Sequence, residues 1–445
     1  MKITFDASGI LAPLQQTKPK FYIAFIFLLA VMGVGAYAYF IQLREGLGTT
    51  GMNRPVFWGM YIGNFVFFAS LALAGTLISA ILRVLHVEWR KPITRAAETI
   101  SIFALIFAVA NIMVDMGRPD RLMSVIQHGR ARSPILWDVI SINGYLAAAA
   151  IYLYLPMVPD LALLRDQKIG RFQFLYKILA LNYHHSPMQT RWHKRLIFFS
   201  AVLMIPLSVS ESAVTAWLFA TTVQPVWHST IYAPFFVVGA LYTGTAVLVL
   251  ILALVRKALD LQHIIKDVHF SNLGLVLLAE GCFVAYFLTC MYMVEITGAE
   301  PLILKVVMSE IRGAFAVPFW LMITIGILFP PLLLAFRSGR SIQGVVTASI
   351  IIVVAMWVER YLIVVPTLTQ PRLGWAEGFY HPTWIEWAVT ASTMAAFALS
   401  ILLFAKLFPM LSIWEIQDGI DTAVPDAKEK FENLAPAPKK EALQG

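Results

Sequence analysis

Glu98, Asp115, Asp138, Glu211 and Glu280 each fall inside, or near the end of, a long run of apolar residues. An ionised side chain in such surroundings is unfavourable by several kcal/mol unless paired or hydrated, so each of these acids is a candidate for chemistry. That chemistry is proton exchange: a carboxyl taken out of water can hold and release a proton near neutral pH. Asn111 lies one helical turn before Asp115, and Arg118 follows closely enough to pair with Asp115 or Asp138. Glu211 is flanked by Ser208, Ser210, Ser212 and Thr215, while Glu359 and Arg360 are adjacent and expected to compensate each other. Two readings stay open. In the structural one, Asp138 caps or pairs at a helix start, Asp115 binds Arg118, and Glu211 or Glu280 joins helices as a protonated acid. In the functional one, Asp115 and Asp138 form a proton-accepting pocket near the outer surface, and Glu211, Glu280 and Glu98 are steps leading inward. Glu98 and Asp115 are 17 residues apart on one predicted helix, about 25 Å of rise.

The elements that must hold these groups are ten apolar stretches: 21–43, 56–84, 93–116, 134–155, 195–221, 233–256, 272–294, 314–336, 342–365 and 383–407. Each has the roughly 20 residues a helix needs to cross a bilayer. With 59% hydrophobic and 13% charged residues in 445, the chain carries more apolar surface than one soluble core can hide. The expected fold is therefore all-α, a polytopic membrane protein of about ten transmembrane helices. The first stretch is too long for a signal-peptide core and lacks a small-residue cleavage site. Residues 1–20 are expected to be a cytoplasmic N-terminal segment, 21–407 the transmembrane domain, and 408–445 a cytoplasmic tail that is polar after Trp414. Ala74-Gly75-Thr76 and Thr243-Gly244-Thr245 occupy similar places in similar runs, a faint sign of two related four-helix bundles, stretches two to five and six to nine. The longest connection, 156–195, is expected to contain a surface helix around 172–181, and Pro206, Pro318, Pro330 and Pro331 to bend stretches five and eight.

Of the 34 basic residues, 24 lie in the N-terminus, in loops after even-numbered stretches, or in the C-terminus. This asymmetry places both termini in the cytoplasm of a prokaryotic inner membrane. It accounts for the net charge of +8 through loops facing anionic lipid, without nucleic acid as a partner. Cys282 and Cys290 share the seventh stretch and make no iron–sulfur motif. The nine histidines fall in loops or at stretch ends, so none is placed as a central haem ligand, and no P-loop or dinucleotide fingerprint occurs. The chain is expected to carry no haem, iron–sulfur centre or other metal of its own.

Several segments in one order resemble the NrfD/polysulfide-reductase-type membrane subunits: Gly51-Met52-Asn53-Arg54-Pro55, Trp58-Gly59-Met60-Tyr61-Ile62, Ala74-Gly75-Thr76, Gly117-Arg118-Pro119, Ser133-Pro134-Ile135-Leu136-Trp137-Asp138, Val358-Glu359-Arg360 and Pro382-Thr383-Trp384. Within that group the chain looks most like the ten-helix quinol-site subunit of alternative complex III. The resemblance implies a subunit that binds quinol or quinone close to the outer face. It also implies electron exchange with a ferredoxin-like iron–sulfur subunit, beside a multihaem cytochrome and further membrane subunits, and in some complexes coupling to proton translocation. By resemblance, Asp138 matches the outer-pocket aspartate, Arg118 the Gly-Arg-Pro arginine, and Tyr61 and Asn64 lie on the helix lining the quinone pocket. Where such relatives have histidines, this chain has Asp115, Leu73 and the Ser210–Glu211 region. The pocket is then either built with a carboxylate as proton acceptor or degenerate.

Three functions remain in view. The chain is a quinol-site subunit using Asp115, Asp138 and Arg118, with Tyr61, Asn64 and Asn111 around the quinone; or a cofactor-free anchor or proton-conducting subunit; or a secondary transporter. Against the last, the strongest acid pair lies near one face rather than at mid-membrane.

Overall fold

The computed structural model describes residues 5–370 and 378–421. Part of the proposed tail, with Pro425, Pro436 and Pro438, lies outside them. Among the described residues, ten helices are long and apolar enough to cross a membrane: Pro19–Glu45, Met60–Val84, Thr94–Asp115, Pro134–Asp166, Pro187–Ala220, Tyr232–Ala258, Asp267–Gly298, Ala316–Ala335, Ile342–Leu368 and Trp384–Leu407. The described residues contain no strand. Backbone groups in hydrocarbon must be satisfied within their own segment, so helix is the form these runs take. Their starts are written locally. Proline opens the first, fourth and fifth spans, where a missing N–H has no consequence. Ser186 and Ser341 cap the fifth and ninth by accepting from Gln189 and Gly344 N–H, and Thr383 with Glu386 makes a capping box on the tenth.

Spans two to five pack as one four-helix group and spans six to nine as another, while spans one and ten pair beside them. The second span is the axis. Nearly all its residues are buried, whereas the first span is almost entirely outward-facing. The two groups meet where the two small-residue motifs face each other: a Cβ added to Gly244 would lie 2.1 Å from the Cβ of Ala74. Gly75 faces the third span just as closely: a Cβ added there would lie 2.2 Å from the Ala97 carbonyl oxygen. Both motifs exist because only glycine lets these backbones approach.

Two expectations shift. The fourth helix runs on to Asp166 and the fifth begins at Pro187, so the long connection shrinks to 167–186 around a helix at Gln173–Leu179. Pro156 and Pro159 do not stop the fourth helix; residues 156–164 are buried, so packing overrides local propensity there. The eighth span is interrupted by a π-helical stretch at Met322–Leu328, which leads into Pro330 and Pro331. Cys282 is exposed on the outside of the seventh span.

Candidate functional site: a polar column in the first bundle

Asp138 enters the bundle four residues into the fourth helix and is buried. The hydroxyl of Thr215 donates to its Oδ1 at 2.7 Å. Glu211 lies one turn from Thr215 on the fifth helix, fully enclosed, with Oε1 unpartnered. A further turn along is Ser208, 3.3 Å from Thr76 Oγ1. Thr76 also contacts the Tyr145 hydroxyl, which reaches the Ala72 carbonyl at 3.0 Å. One turn on from Thr76, Ser79 donates to Glu98 Oε1 at 2.6 Å and lies 3.2 Å from the Tyr152 hydroxyl. Arg83 Nη2 reaches the same Glu98 oxygen at 3.2 Å. These groups form one sequence of polar side chains from Asp138 to the opposite, basic end. Its breaks are single helical turns, roughly 4.5–6 Å of rise.

Glu211 and Glu98 therefore do share a path, but Glu280 is not on it. Glu280 belongs to the second bundle, where Thr245 donates to it at 3.0 Å. The other expected pairing also fails. Arg118 is exposed and forms a bidentate pair with Asp120, at 3.1 and 2.9 Å, so it serves neither Asp115 nor Asp138. A Gly-Arg-Pro turn projects the arginine outward, and the acid two residues later takes it first.

Asp115 stands apart from Asp138, on the side of the third helix facing spans one, two and ten. Its Oδ1 is buried without a partner. Beside it, Gln42 donates to the Val114 carbonyl at 3.0 Å and accepts from the Tyr61 hydroxyl at 2.7 Å. Asn64 is committed too: it donates to Thr390 at 2.8 Å and accepts from Trp357 Nε1 at 2.9 Å. The amide of Asn111 donates to its own Phe107 carbonyl, leaving Oδ1 free. Glu386 organises the adjoining loop by accepting from Gly51 N–H at 2.7 Å, Thr383 N–H at 2.9 Å and the Tyr380 hydroxyl.

The second bundle holds two further buried acids, Glu295 and Glu310, beside Glu359. Glu310, Glu359, Tyr232 and Tyr292 line a cavity of about 20 Å³, room for one water molecule. Tyr292 donates to Glu310 at 2.6 Å. Arg360 Nη1 lies 3.1 Å from Glu359 Oε2, close but not aligned as a hydrogen bond. Glu295, also buried, has neither oxygen partnered.

At the basic end the column closes on the chain's own C-terminal segment. Glu415 is buried and accepts from both Arg83 and Arg90, the latter at 2.9 Å. The helical turns at 413–421 are held against the first bundle by these contacts. Burial alone would raise the Glu415 carboxyl, but Arg83 and Arg90 overcome it and hold the group at about 2. A carboxyl with a depressed folded pKa stabilises fully above its ordinary 4.5 and loses that contribution as pH falls towards the folded value. Pepsin should therefore leave this segment protected at about pH 4 and cut it as the medium approaches about pH 2, whereas in Glu415→Gln cleavage should show no such step.

Together these features define a polytopic helical membrane subunit with a carboxylate column through one of two bundles. Residues 48–372 match the family model described as polysulphide reductase, NrfD, and the chain belongs to that family. A Halobacterium salinarum protein, provisionally named as a membrane subunit of dimethyl sulfoxide reductase, is 29% identical over 86% of this chain and 89% of its own. The Hdr-like menaquinol oxidoreductase integral membrane subunit of Archaeoglobus fulgidus is 21% identical over 90% of this chain and 96% of its own. A selenate reductase subunit of Mesobacillus selenatarsenatis is 21% identical over the same shares.

Proposed function

We propose that this chain is the quinone-site membrane subunit of an electron-transfer complex, with Asp138 as the group that exchanges protons with the quinone. The observation that carries this reading is the column itself, which begins at a buried carboxylate near one membrane face and ends among arginines at the other. The relatives' names supply the substrate class, since one is a menaquinol oxidoreductase subunit. In the oxidising direction a quinol gives up two electrons and two protons. The electrons leave to an iron–sulfur subunit docked at the Asp138 end. One proton passes to the Asp138 carboxylate, and Thr215 holds that carboxylate oriented through the bond to Oδ1. Glu211, Tyr145, Thr76, Ser79 and Glu98 then relay protons along the bundle. The second proton passes to Asp115, whose buried Oδ1 is unpartnered and which lies one turn from Asn111. Tyr61 and Asn64 hold helices together around the pocket, because their polar atoms are already used. The charge asymmetry supports an orientation with the basic end in the cytoplasm and the Asp138 end outside, in what this reading takes to be a prokaryotic inner membrane.

Purification tests the assembly. Extracted in mild detergent from its own cells, the chain should co-elute with an iron–sulfur subunit and support quinol-dependent reduction of it. A chain that elutes alone, with no quinol-dependent activity in the whole membrane, would exclude the reading.

A further inference from the structure

A cavity of about 200 Å³ opens at the basic end of the first bundle, between the end of the second helix, the turn after it, the fifth helix and the C-terminal segment. Four cations face it: Arg83, Arg90, Lys91 and Lys194. Two carboxylates face it as well. Glu415 is taken by the arginines and Asp418 by Lys194 at 2.5 Å. Behind these, Glu98 lies against Arg83, and Glu88 pairs with Lys91 from a position largely in solvent. His86 completes the rim, its ring 5.5 Å from that of Phe198.

Donors outnumber acceptors here. Each arginine carries five N–H groups and each lysine three, yet few carboxylate oxygens face them. The Nε atoms of Arg83 and Arg90 are buried without a partner, and Arg83 is only 5% exposed. A buried donor left unpaired is unfavourable, so the wall suits a guest with several acceptor oxygens and negative charge.

The remaining wall says which guest. Ile197, Phe198 and Trp414 line the apolar side. From Phe198 the outward face of the fifth helix continues as exposed Phe199, Val202 and Leu203. A free inorganic anion has no use for that strip; a lipid does. We propose that this cavity holds the phosphate of an anionic phospholipid, with Arg90, Lys91 and Lys194 around its oxygens and its acyl chains along Phe198 and the fifth helix. Basic pockets between spans at headgroup depth bind such lipids for the same electrostatic reason. The site is independent of any quinone chemistry.

The test is native mass spectrometry of the full delipidated chain, titrated with phosphatidylglycerol, phosphatidylcholine or inorganic phosphate. Phosphatidylglycerol should bind in clear preference to phosphatidylcholine. Lys91→Gln and Lys194→Gln should each weaken it about fivefold, and Asp418→Asn should strengthen it about fivefold. Arg195→Gln, at similar depth but stacked on Trp192, should leave it unchanged. Equal binding of the two lipids, unaltered affinity in the lysine and Asp418 variants, or equal weakening by Arg195→Gln would overturn the site. Displacement of phosphatidylglycerol by an equal concentration of inorganic phosphate would overturn the lipid as its occupant. The Asp418 variant keeps the test decisive if a lysine variant fails to fold, because it acts in the opposite direction.

Discussion

Asp138→Asn should lower quinol-dependent turnover by about 100-fold or more while leaving the folded chain intact. A positioned general base contributes about 10²- to 10⁴-fold, and in the proposed reaction Asp115 is occupied with the quinol's other proton, so it does not replace this one. Glu211 lies deeper, beyond Thr215, and Arg118 is held by Asp120 at the surface. Asparagine has the volume of aspartate, and its amide oxygen still accepts from the Thr215 hydroxyl, so the helices around it have no reason to move. What is lost is a site that takes a proton. The effect should appear in kcat, with quinone affinity little changed, because an interaction that matters only during proton transfer leaves ground-state binding alone. Stopped-flow reduction of the partner by quinol, with thermal melting as the folding control, separates the two. Unchanged turnover and unchanged affinity would remove Asp138 from the reaction.

Much of the column was written in the chain as spacing. Asp138, Tyr145 and Tyr152 are seven apart, two helical turns each, and so line one face of the fourth span. Thr76, Ser79 and Arg83 follow at three and four on the second, and Ser208, Glu211 and Thr215 do the same on the fifth. Of the acids read from the sequence, Glu211 and Glu98 lie along the column, whereas Glu280 lies in the other bundle. Depth along a helix is legible from sequence, but which bundle a helix joins is not. The tyrosines and hydroxyls between the acids are ordinary residues in apolar runs until three stripes are seen to face one another. Arg118 misleads for a different reason. Its nearest acid along the chain, Asp120, is in solvent and outcompetes any buried partner. The spans themselves needed only hydropathy. The C-terminal lock was hidden, because Asp160 and Glu415 read as loop and tail charges, and their partners are 65 and 332 residues away.

That lock carries the largest expected loss of stability. Arg95 and Asp160 are an ion pair with each side chain 1% exposed. Asp160 also accepts from Ile413 N–H at 3.0 Å and Trp414 N–H at 2.9 Å, and so caps the turn that starts the final helical segment. Arg95 reaches the Pro156 carbonyl at 2.8 Å, Ser412 Oγ at 3.1 Å and the Leu411 carbonyl at 3.2 Å. Asp160→Ala strands a buried guanidinium and two backbone donors together. Breaking one side of a buried pair is unfavourable by about 3–5 kcal/mol, whereas replacing both sides with apolar groups is often much milder. In detergent, Asp160→Ala should therefore melt well below the parent and expose Ile413–Glu415 to protease, and Arg95→Leu with Asp160→Leu should be less destabilised than Asp160→Ala. A single variant that melts like the parent with its C-terminal segment protected would show that the pair is incidental. If the segment is released as expected, Glu415 leaves Arg83 and Arg90, and Glu98 becomes the last carboxylate of the column. Because release removes that carboxylate from the basic end, its functional consequence follows from the same ion pair as the drop in stability.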